Sequence, residues 1–566
     1  MILQFENIDI ERMGYRYRGP YTTSYSYNEN DVVYKDGGAY AYKNGAFTPF
    51  MLGQANATQV GAVVGYDTNV RGVRGEMLFM KTDGSFEFRD PYRRNVKRVK
   101  SFSRHLLNQE GTPYHSTFYH CSFLMEDGTV RNIGRQYGGA TGAGGTADIG
   151  RTFPSLRAYP QGVKIEKIHQ VETASFAIDS NGEVWSSGYD FVGVDDVAYE
   201  TEPGSGVLYV PVNISQALGI NEKVTEIYST KDWYYGPSYA FKTESNKLWV
   251  GGNNRYGCLG LGISGSDNLV TMQLQQFSVD HPIDKVQFTG GYHAAGYYLT
   301  QEGDWYTCGE HHSCWHQRGT ITYPELYNPW GSNKAVQMGG HESDHGNTGI
   351  GGDQHYRFYW VVLQNGDLFY RGNNPTNTGS VGWGTTISYD IPITDGPFLT
   401  NVHRAWLVNG AYAKALAIKN DGTLWHRGES SYGSPTGSNT TTWNQYQYAP
   451  TNITRMNCWG GRNAYFWIGI TSDGQLWATG QNNYGQRGSG YTGESGGPEA
   501  WKQATVLSDK VFVDYMVSNY PGYPGNDFTV YGLTDEGEVW AWGGGNYAGN
   551  QDDDNEYRTV PNKIIF

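Results

Sequence analysis

Short runs of alternating apolar and polar residues, broken by Gly, Asn and Asp, set the character of this chain. In Leu476-Trp477-Ala478-Thr479 the alternation puts one face into packing and the other outward, the period of a β-strand. The runs come in pairs joined by one recurring turn: an apolar strand, Asp-Gly or Asn-Gly, two residues, then usually Trp. It reads Ser175-Phe176-Ala177-Ile178-Asp179-Ser180-Asn181-Gly182-Glu183-Val184-Trp185, and returns around Gly422-Thr423-Leu424-Trp425, Gly474-Gln475-Leu476-Trp477 and Gly537-Glu538-Val539-Trp540. Looser copies are centred on Gly128, Asn246, Gly303 and Gly366. The eight turns stand 54, 64, 57, 63, 56, 52 and 63 residues apart. The Asp-Gly or Asn-Gly step predicts a two-residue hairpin with positive φ angles.

Beyond the hairpin, Gly188, Gly252, Gly428, Gly480 and Gly543 each stand three residues after the aromatic. Two of these lead into Asn253-Asn254-Arg255-Tyr256-Gly257 and Asn482-Asn483-Tyr484-Gly485, where tight turns leave little room for side chains. A degenerate ninth copy, Lys81-Thr82-Asp83-Gly84, precedes the eight. Self-similarity at this period predicts a ring of repeated β-units. Composition agrees: 77 Gly, 45 Tyr and 17 Trp among 566 residues, with 17% charged, suit short strands and tight turns.

These hairpins resemble the repeat of the regulator of chromosome condensation family, a strand, x-Asp-Gly-x-Val/Leu-Trp-x-x-Gly, then Asn-x-x-Gly-x-Leu-Gly. Arg255-Tyr256-Gly257-Cys258-Leu259-Gly260 fits the last part well, and Tyr484-Gly485-Gln486-Arg487-Gly488 less closely. The resemblance covers about residues 75–566 and implies a β-propeller. Family habit gives seven blades and direct count gives eight. The intervals mostly exceed the family's, so loops on at least one face are extended. Val560–Phe566 reads as an outer strand that closes the ring. The fold class expected is therefore all-β: a propeller of seven or eight blades over residues 61–566, behind a small β-module at residues 1–60.

That module, with Tyr15-Arg16-Tyr17-Arg18-Gly19-Pro20-Tyr21, Asp31-Val32-Val33-Tyr34 and Gly37-Gly38-Ala39-Tyr40-Ala41-Tyr42, is similar to small β-modules of phage tail and chitin-binding proteins. In carbohydrate-binding relatives exposed aromatics stack on sugars, so Tyr17, Tyr21, Tyr34, Tyr40 and Tyr42 are the candidate glycan or partner surface. The competing reading is that these tyrosines pack a three-stranded core. The resemblance implies a phage virion protein, a tail or neck appendage. Its N-terminal module would contact other virion proteins, its loops would face a host surface glycan or neighbouring subunits, and it would form a homo-oligomer in the particle. A cellular interaction scaffold and a polysaccharide-degrading propeller are the alternatives.

The net charge of −14 removes the basic footprint that nucleic-acid binding needs, so no nucleic-acid partner is expected. Arg93–Lys100 reads as a strand with a charged exposed face. The N-terminus lacks the signature of a secretion signal and no run is long and apolar enough to span a bilayer, so neither classical secretion nor membrane insertion is expected. Five scattered cysteines form no disulfide framework, which fits synthesis in a reducing host cytoplasm before assembly into the virion.

Of chemistry-bearing groups, Cys308, His311, Cys314 and His316 have zinc-ligand character, although their spacing matches no standard motif and loop packing is the competing reading. His341–His345 reads as an inserted Gly-rich loop, and Asp552–Glu556 as a solvated acidic loop. Gly138–Gly145 lacks the strand–helix setting of a dinucleotide site, and no nucleophile elbow or phosphate loop is present. No catalytic residue and no cofactor is expected; the chain reads as a non-enzyme.

Overall fold

The computed structural model describes, before residue 120, the strands at 16–20, 31–35, 38–43, 46–49, 60–65, 77–81, 86–89 and 99–104. Beyond it the described residues are 120–134, 155–157, 159–170, 174–189, 207–230, 238–263, 269–289, 294–310, 320–328, 330–345, 354–373, 397–408, 414–428, 440–446, 449–461, 464–480, 482–490, 492, 502–504, 507–520, 527–544 and 558–564.

Two compact units divide the chain, residues 1–97 with 565–566, and residues 98–564. In the first unit, Arg16–Pro20, Asp31–Lys35, Gly38–Lys43 and Ala46–Pro49 form one sheet in that order, its first pair parallel. The sheet thus has four strands, one more than the three-stranded core of the competing reading. Val60–Gly65, Met77–Lys81 and Phe86–Arg89 form a second sheet, and the degenerate ninth copy is the antiparallel hairpin of its last two strands.

The second unit is a β-propeller. Among the described residues it holds eight sheets in chain order, each an antiparallel meander, so the direct count of hairpins is the one the sheets follow. Blade 1 comprises Val99–Arg104, His120–Met125, Val130–Gly134 and Ser155–Leu156. Blade 2 has Ile165–Gln170, Ala174–Asp179, Val184–Tyr189 and Val207–Asn213; blade 3 has Val224–Ser229, Ser238–Thr243, Leu248–Asn253 and Leu269–Leu274. Blade 4 has Ile283–Thr289, Ala295–Thr300, Trp305–Gly309 and Ile321–Leu326. Blade 5 has Ala335–His345, Gln354–Leu363 and Leu368–Asn373, with a single bridge from Leu368 to Leu399. Blade 6 has Val402–Val408, Lys414–Lys419, Leu424–Gly428 and Thr440–Gln445; blade 7 has Ile453–Gly461, Ala464–Thr471, Leu476–Gly480 and Lys502–Gln503. Blade 8 has Phe512–Tyr520, Asp527–Thr534, Val539–Gly543 and Arg558–Lys563.

First strands of neighbouring blades lie against one another at seams 1–2, 3–4, 4–5, 5–6 and 6–7, and blade 8's first strand packs against blade 1's; at 2–3 and 7–8 the preceding blade's second strand meets the next blade's first. The terminal strand Arg558–Lys563 is blade 8's outer strand and pairs only with Val539–Gly543 among the described residues. Closure comes from side chains instead: Phe123 of blade 1 meets Tyr531 of blade 8 edge-to-face at 6.0 Å, and the Tyr531 hydroxyl bonds to Cys121. Among the described residues each hydrophobic cluster straddles a seam. Phe176, Ile178 and Val184 of blade 2 pack with Val224, Tyr239 and Phe241 of blade 3, and Ile468 and Leu476 of blade 7 with Phe512, Tyr515 and Trp542 of blade 8.

His341–His345 is not an inserted loop. It continues blade 5's first strand, paired residue by residue from His341 opposite Phe358 to His345 opposite Gln354. Pairing with the aromatic-rich partner strand overrides the local Gly-rich composition. The basic run enters blade 1's first strand at Val99, where Lys100 is exposed; its earlier residues, like Gly138–Gly145 and Asp552–Glu556, lie outside the described residues. Two short helices, Ile214–Leu218 and Gln276–Asp280, are described, and no described helix is long and apolar enough to cross a membrane.

Candidate functional site: a stitched ring, its looped face and a cleft between blades 2 and 3

The hairpin that marks the sequence has a three-residue loop, not the two-residue loop expected. In blade 2 the Gly182 N–H donates to the Asp179 carbonyl (2.9 Å) and the Asp179 N–H to the Glu183 carbonyl (3.0 Å). Among the loop residues only Gly182 takes a positive φ, +80°, the arrangement of a type I turn followed by a left-handed bulge residue. Asp179 holds the loop: its carboxylate accepts from the N–H groups of Asn181 (2.8 Å) and Glu183 (3.0 Å) and from Trp185 Nε1 (3.0 Å).

The turn glycine also stitches the ring. Its carbonyl accepts the N–H of the residue that opens the next blade: Gly128 from Ile165, Gly182 from Val224, Gly303 from Ala335, Gly366 from Val402 and Gly474 from Phe512, at 2.8–3.0 Å. Asn246, with φ +61°, does the same for Ile283. A Cβ on Gly182 would lie 2.5 Å from Lys223 Cβ and 2.8 Å from Lys223 Cα, so the seam closes only on a residue without one. The Asn-x-x-Tyr-Gly segments serve seams too. A Cβ on Gly257 would meet Thr322 Cα at 2.7 Å, and one on Gly485 would meet Thr559 Cα at 2.5 Å, each in the next blade's outer strand. The repeat residues are therefore scaffold.

The two faces of the ring differ. Every connection between second and third strands is four residues long, as at 126–129, 180–183 and 535–538. The antiparallel order puts the connections between first and second, and between third and fourth, strands on the opposite face. Between third and fourth strands these vary widely: 135–154 in blade 1, 310–320 in blade 4, 481–501 in blade 7. The long connections at 135–154, 310–320 and 481–501 thus start and end on that face.

A second periodic feature lies in the first strands. All eight first strands carry a bulge between their first and third residues, which re-aims the third residue. Those third residues are Ser101, Lys167, Glu226, Lys285, Gln337, Arg404, Arg455 and Asp514, all polar. Several reach the next blade's first strand. Lys167 Nζ donates to the Thr225 carbonyl (2.7 Å), Arg404 Nη1 to the Thr454 carbonyl (3.0 Å), and Arg455 pairs with Asp514. Gln337 exchanges hydrogen bonds with the Ala405 main chain at 3.0 and 3.1 Å.

Between blades 2 and 3 this wall opens into a cleft of about 240 Å³, lined by Lys167, Ile168, His169, Ile178, Glu226, Ile227 and Tyr228. His169 Nε2 lies 2.7 Å from Ser229 Oγ, and loss of solvation lowers the imidazole pKa to about 4. Tyr228 donates to Glu226, and desolvation first, then the Glu226 carboxylate, raise its phenol well above the usual range. Lys242 Nζ stands 3.6 Å from Glu226 and donates to the Asp284 carbonyl at 2.9 Å.

Of the residues singled out from sequence, Tyr17, Tyr34, Tyr40 and Tyr42 lie on strands of the first unit, where Tyr34 pairs with Ala39, Tyr40 with Val33 and Tyr42 with Phe47; Tyr21 lies outside the described residues. Cys308 is buried in blade 4's third strand, its Sγ 3.3 Å from the Cys258 carbonyl, in the core that blades 3 and 4 share. Its proposed fellow ligands His311, Cys314 and His316 lie outside the described residues.

No protein-family profile matches the chain, and no curated protein matches it. Among solved structures it is similar to human WBSCR16, with 13% identity over 77% of this chain and 94% of that one (TM-score 0.41). It is also similar to Prp20p from Saccharomyces cerevisiae, described with its binding to Gsp1p and histones, with 15% identity over 65% and 82% (TM-score 0.41). A third is yeast RCC1 (Prp20) bound to Kap60, with 14% identity over 84% and 91% (TM-score 0.44). The family whose repeat the hairpins resemble is thus represented among the structural neighbours. Likeness this remote assigns neither a partner nor an activity to the chain.

Proposed function

We propose that this chain is a non-enzymatic binding body, a propeller whose looped face engages a macromolecular partner while the hairpin face and seams keep the ring rigid. The observation that carries this reading is the contrast between the faces: uniform four-residue hairpin turns and short links to the next blade, such as 275–282 and 504–511, on one, and connections between third and fourth strands of widely differing length on the other. Binding residues concentrate on loops held by a rigid scaffold. The setting we infer is a phage particle, with residues 1–60 as the attachment module and a host glycan or neighbouring virion subunits against the loops; the resemblance of the N-terminal module supports it. The repeat itself serves a cellular interaction scaffold equally well, and that is the second reading.

Mass spectrometry and immunogold labelling of purified particles separate the two. The virion reading expects stoichiometric copies at one place on the particle. Particles lacking the chain would end that reading and leave the cellular scaffold. In either setting, shortening the connection at 481–501 should weaken partner binding without shifting the unfolding midpoint, and unchanged binding across such deletions on all blades would sink the looped-face assignment.

A further inference from the structure

The cleft between blades 2 and 3 has a structural origin that sets it apart from the other seams. At seams 2–3 and 7–8 the preceding blade's second strand, rather than its first, makes the main strand contact with the next blade's first strand. At 7–8 the fourth residue of that first strand is Tyr515, buried, whose hydroxyl donates to the Ile468 carbonyl (3.1 Å) and fills the gap. At 2–3 the matching residue is Ile227, shorter and with nothing to donate, and the cavity remains. Tyr228, the next residue, also lines the cleft, and its hydroxyl donates to the Asp284 carbonyl (3.1 Å) and to Glu226.

We propose that this cleft binds a small, uncharged, polyhydroxylated ring, a molecule of the size and chemistry of a single hexose or cyclitol. Lys167 supplies donors and Glu226 acceptors, but Glu226 already faces Lys242 and Tyr228 and Lys167 the Thr225 carbonyl, so neither charge is free to pair with a charged ligand, which would lie uncompensated beside the three isoleucines. His169, held neutral, adds a donor or acceptor without adding charge. Ile168, Ile178 and Ile227 offer an apolar wall to the C–H face of such a ring. The volume lies below the roughly 300–1,000 Å³ of sites for drug-sized ligands, which selects one ring over an oligosaccharide. This site is separate from the looped face and does not depend on what that face binds.

Saturation-transfer NMR and calorimetry on the full chain test it. The neutral probes are methyl α-glucopyranoside, methyl α-galactopyranoside, methyl α-mannopyranoside and myo-inositol, with glucuronate and glucosamine as charged counterparts. At least one neutral probe should bind, and its affinity should exceed that of the charged probes. Ile227→Tyr, which copies the filling of seam 7–8, should reduce that affinity at least about tenfold, a loss of about 1.4 kcal/mol, with the unfolding curve retained. Lys167→Met serves if Ile227→Tyr proves unstable, and should give a similar loss. No transfer to any neutral probe, preference for a charged one, or undiminished binding by the folded variants would overturn the proposal.

Discussion

Replacing Gly182 with Ala separates the two demands that the hairpin glycine meets. The first is conformational: at φ +80° an Ala pays roughly 1–2 kcal/mol for the left-handed region. The second is the seam: the new Cβ would sit 2.5 Å from Lys223 Cβ and 2.8 Å from its Cα, so Lys223, just before blade 3's first strand, must retreat. Overpacking of this kind costs about 1–3 kcal/mol, and retreat also stretches the 2.9 Å bond from the Val224 N–H to the Gly182 carbonyl. The expected total is about 2–5 kcal/mol. Gly422→Ala supplies the control. It has the same turn position and φ of +79°, but its nearest neighbour would be Asn452 Oδ1 at 3.6 Å, an ordinary contact. Gly162→Ala, at φ +91° with open space around it, isolates the backbone contribution a second time. Urea unfolding followed by tryptophan fluorescence, with slopes compared between variants, reads the differences. Gly182→Ala should exceed both controls by about 1–3 kcal/mol. Equality of the three within about 0.5 kcal/mol would refute the seam argument and leave the glycine with a turn role alone.

Three further outcomes are expected. His169 is neutral in the fold, with its pKa lowered from 6.5 to about 4, so the unfolded chain binds the extra proton between those values; its contribution to stability is whole above pH 6.5 and is lost as pH falls towards 4. The full shift corresponds to about 3 kcal/mol, and a ring only partly buried should deliver about 1–2; urea midpoints at pH 7 and 5 should differ less for His169→Gln than for the parent, and equal slopes would remove His169 from the account. Cys121, Cys258 and Cys308 are buried, so a thiol reagent on the native protein should label at most two of the five cysteines and all five after denaturation; three or more fast-reacting thiols would contradict the packing at seams 3–4 and 8–1. Phe123→Ala removes a fully buried ring from the closing seam, and about 3–5 kcal/mol should be lost, with hydrogen exchange rising first in blades 1 and 8; a uniform rise around the ring would show that closure is not local there.

The blades were legible in sequence because their hairpins are made by local rules. A left-handed bulge residue requires Gly182 or its counterparts, and a Trp three residues on repeats at a spacing no helix would produce. The loop length was misjudged because Asp-Gly and Asn-Gly serve both the two-residue turn and the three-residue turn with its bulge, and only the 2.9 and 3.0 Å bonds around Gly182 distinguish them. Ring closure was misassigned to the last strand because Phe123 and Tyr531, 408 positions apart, meet only in space. His341–His345 failed for a similar reason: its partner strand, not its own composition, makes it β.

The bulged first strands were written in the sequence and went unread. Val99-Lys100-Ser101-Phe102, Ile165-Glu166-Lys167-Ile168, Val224-Thr225-Glu226-Ile227, Val402-His403-Arg404-Ala405 and Phe512-Val513-Asp514-Tyr515 share one rule: apolar, any residue, polar, apolar. The cleft obeys that rule and still could not be found from it, because the pattern scores Ile227 and Tyr515 alike as apolar. What separates an open seam from a filled one is the difference in their reach, a phenol that extends to the Ile468 carbonyl against a side chain that stops short. In a repeat ring the residues that recur are committed to turns and seams, so a ligand site arises where two seams closed by the same strands differ in the size of the residue that fills them. Ile227 and Tyr515 are such a pair, and placing the tyrosine of seam 7–8 at position 227 tests both the cleft and this way of locating it.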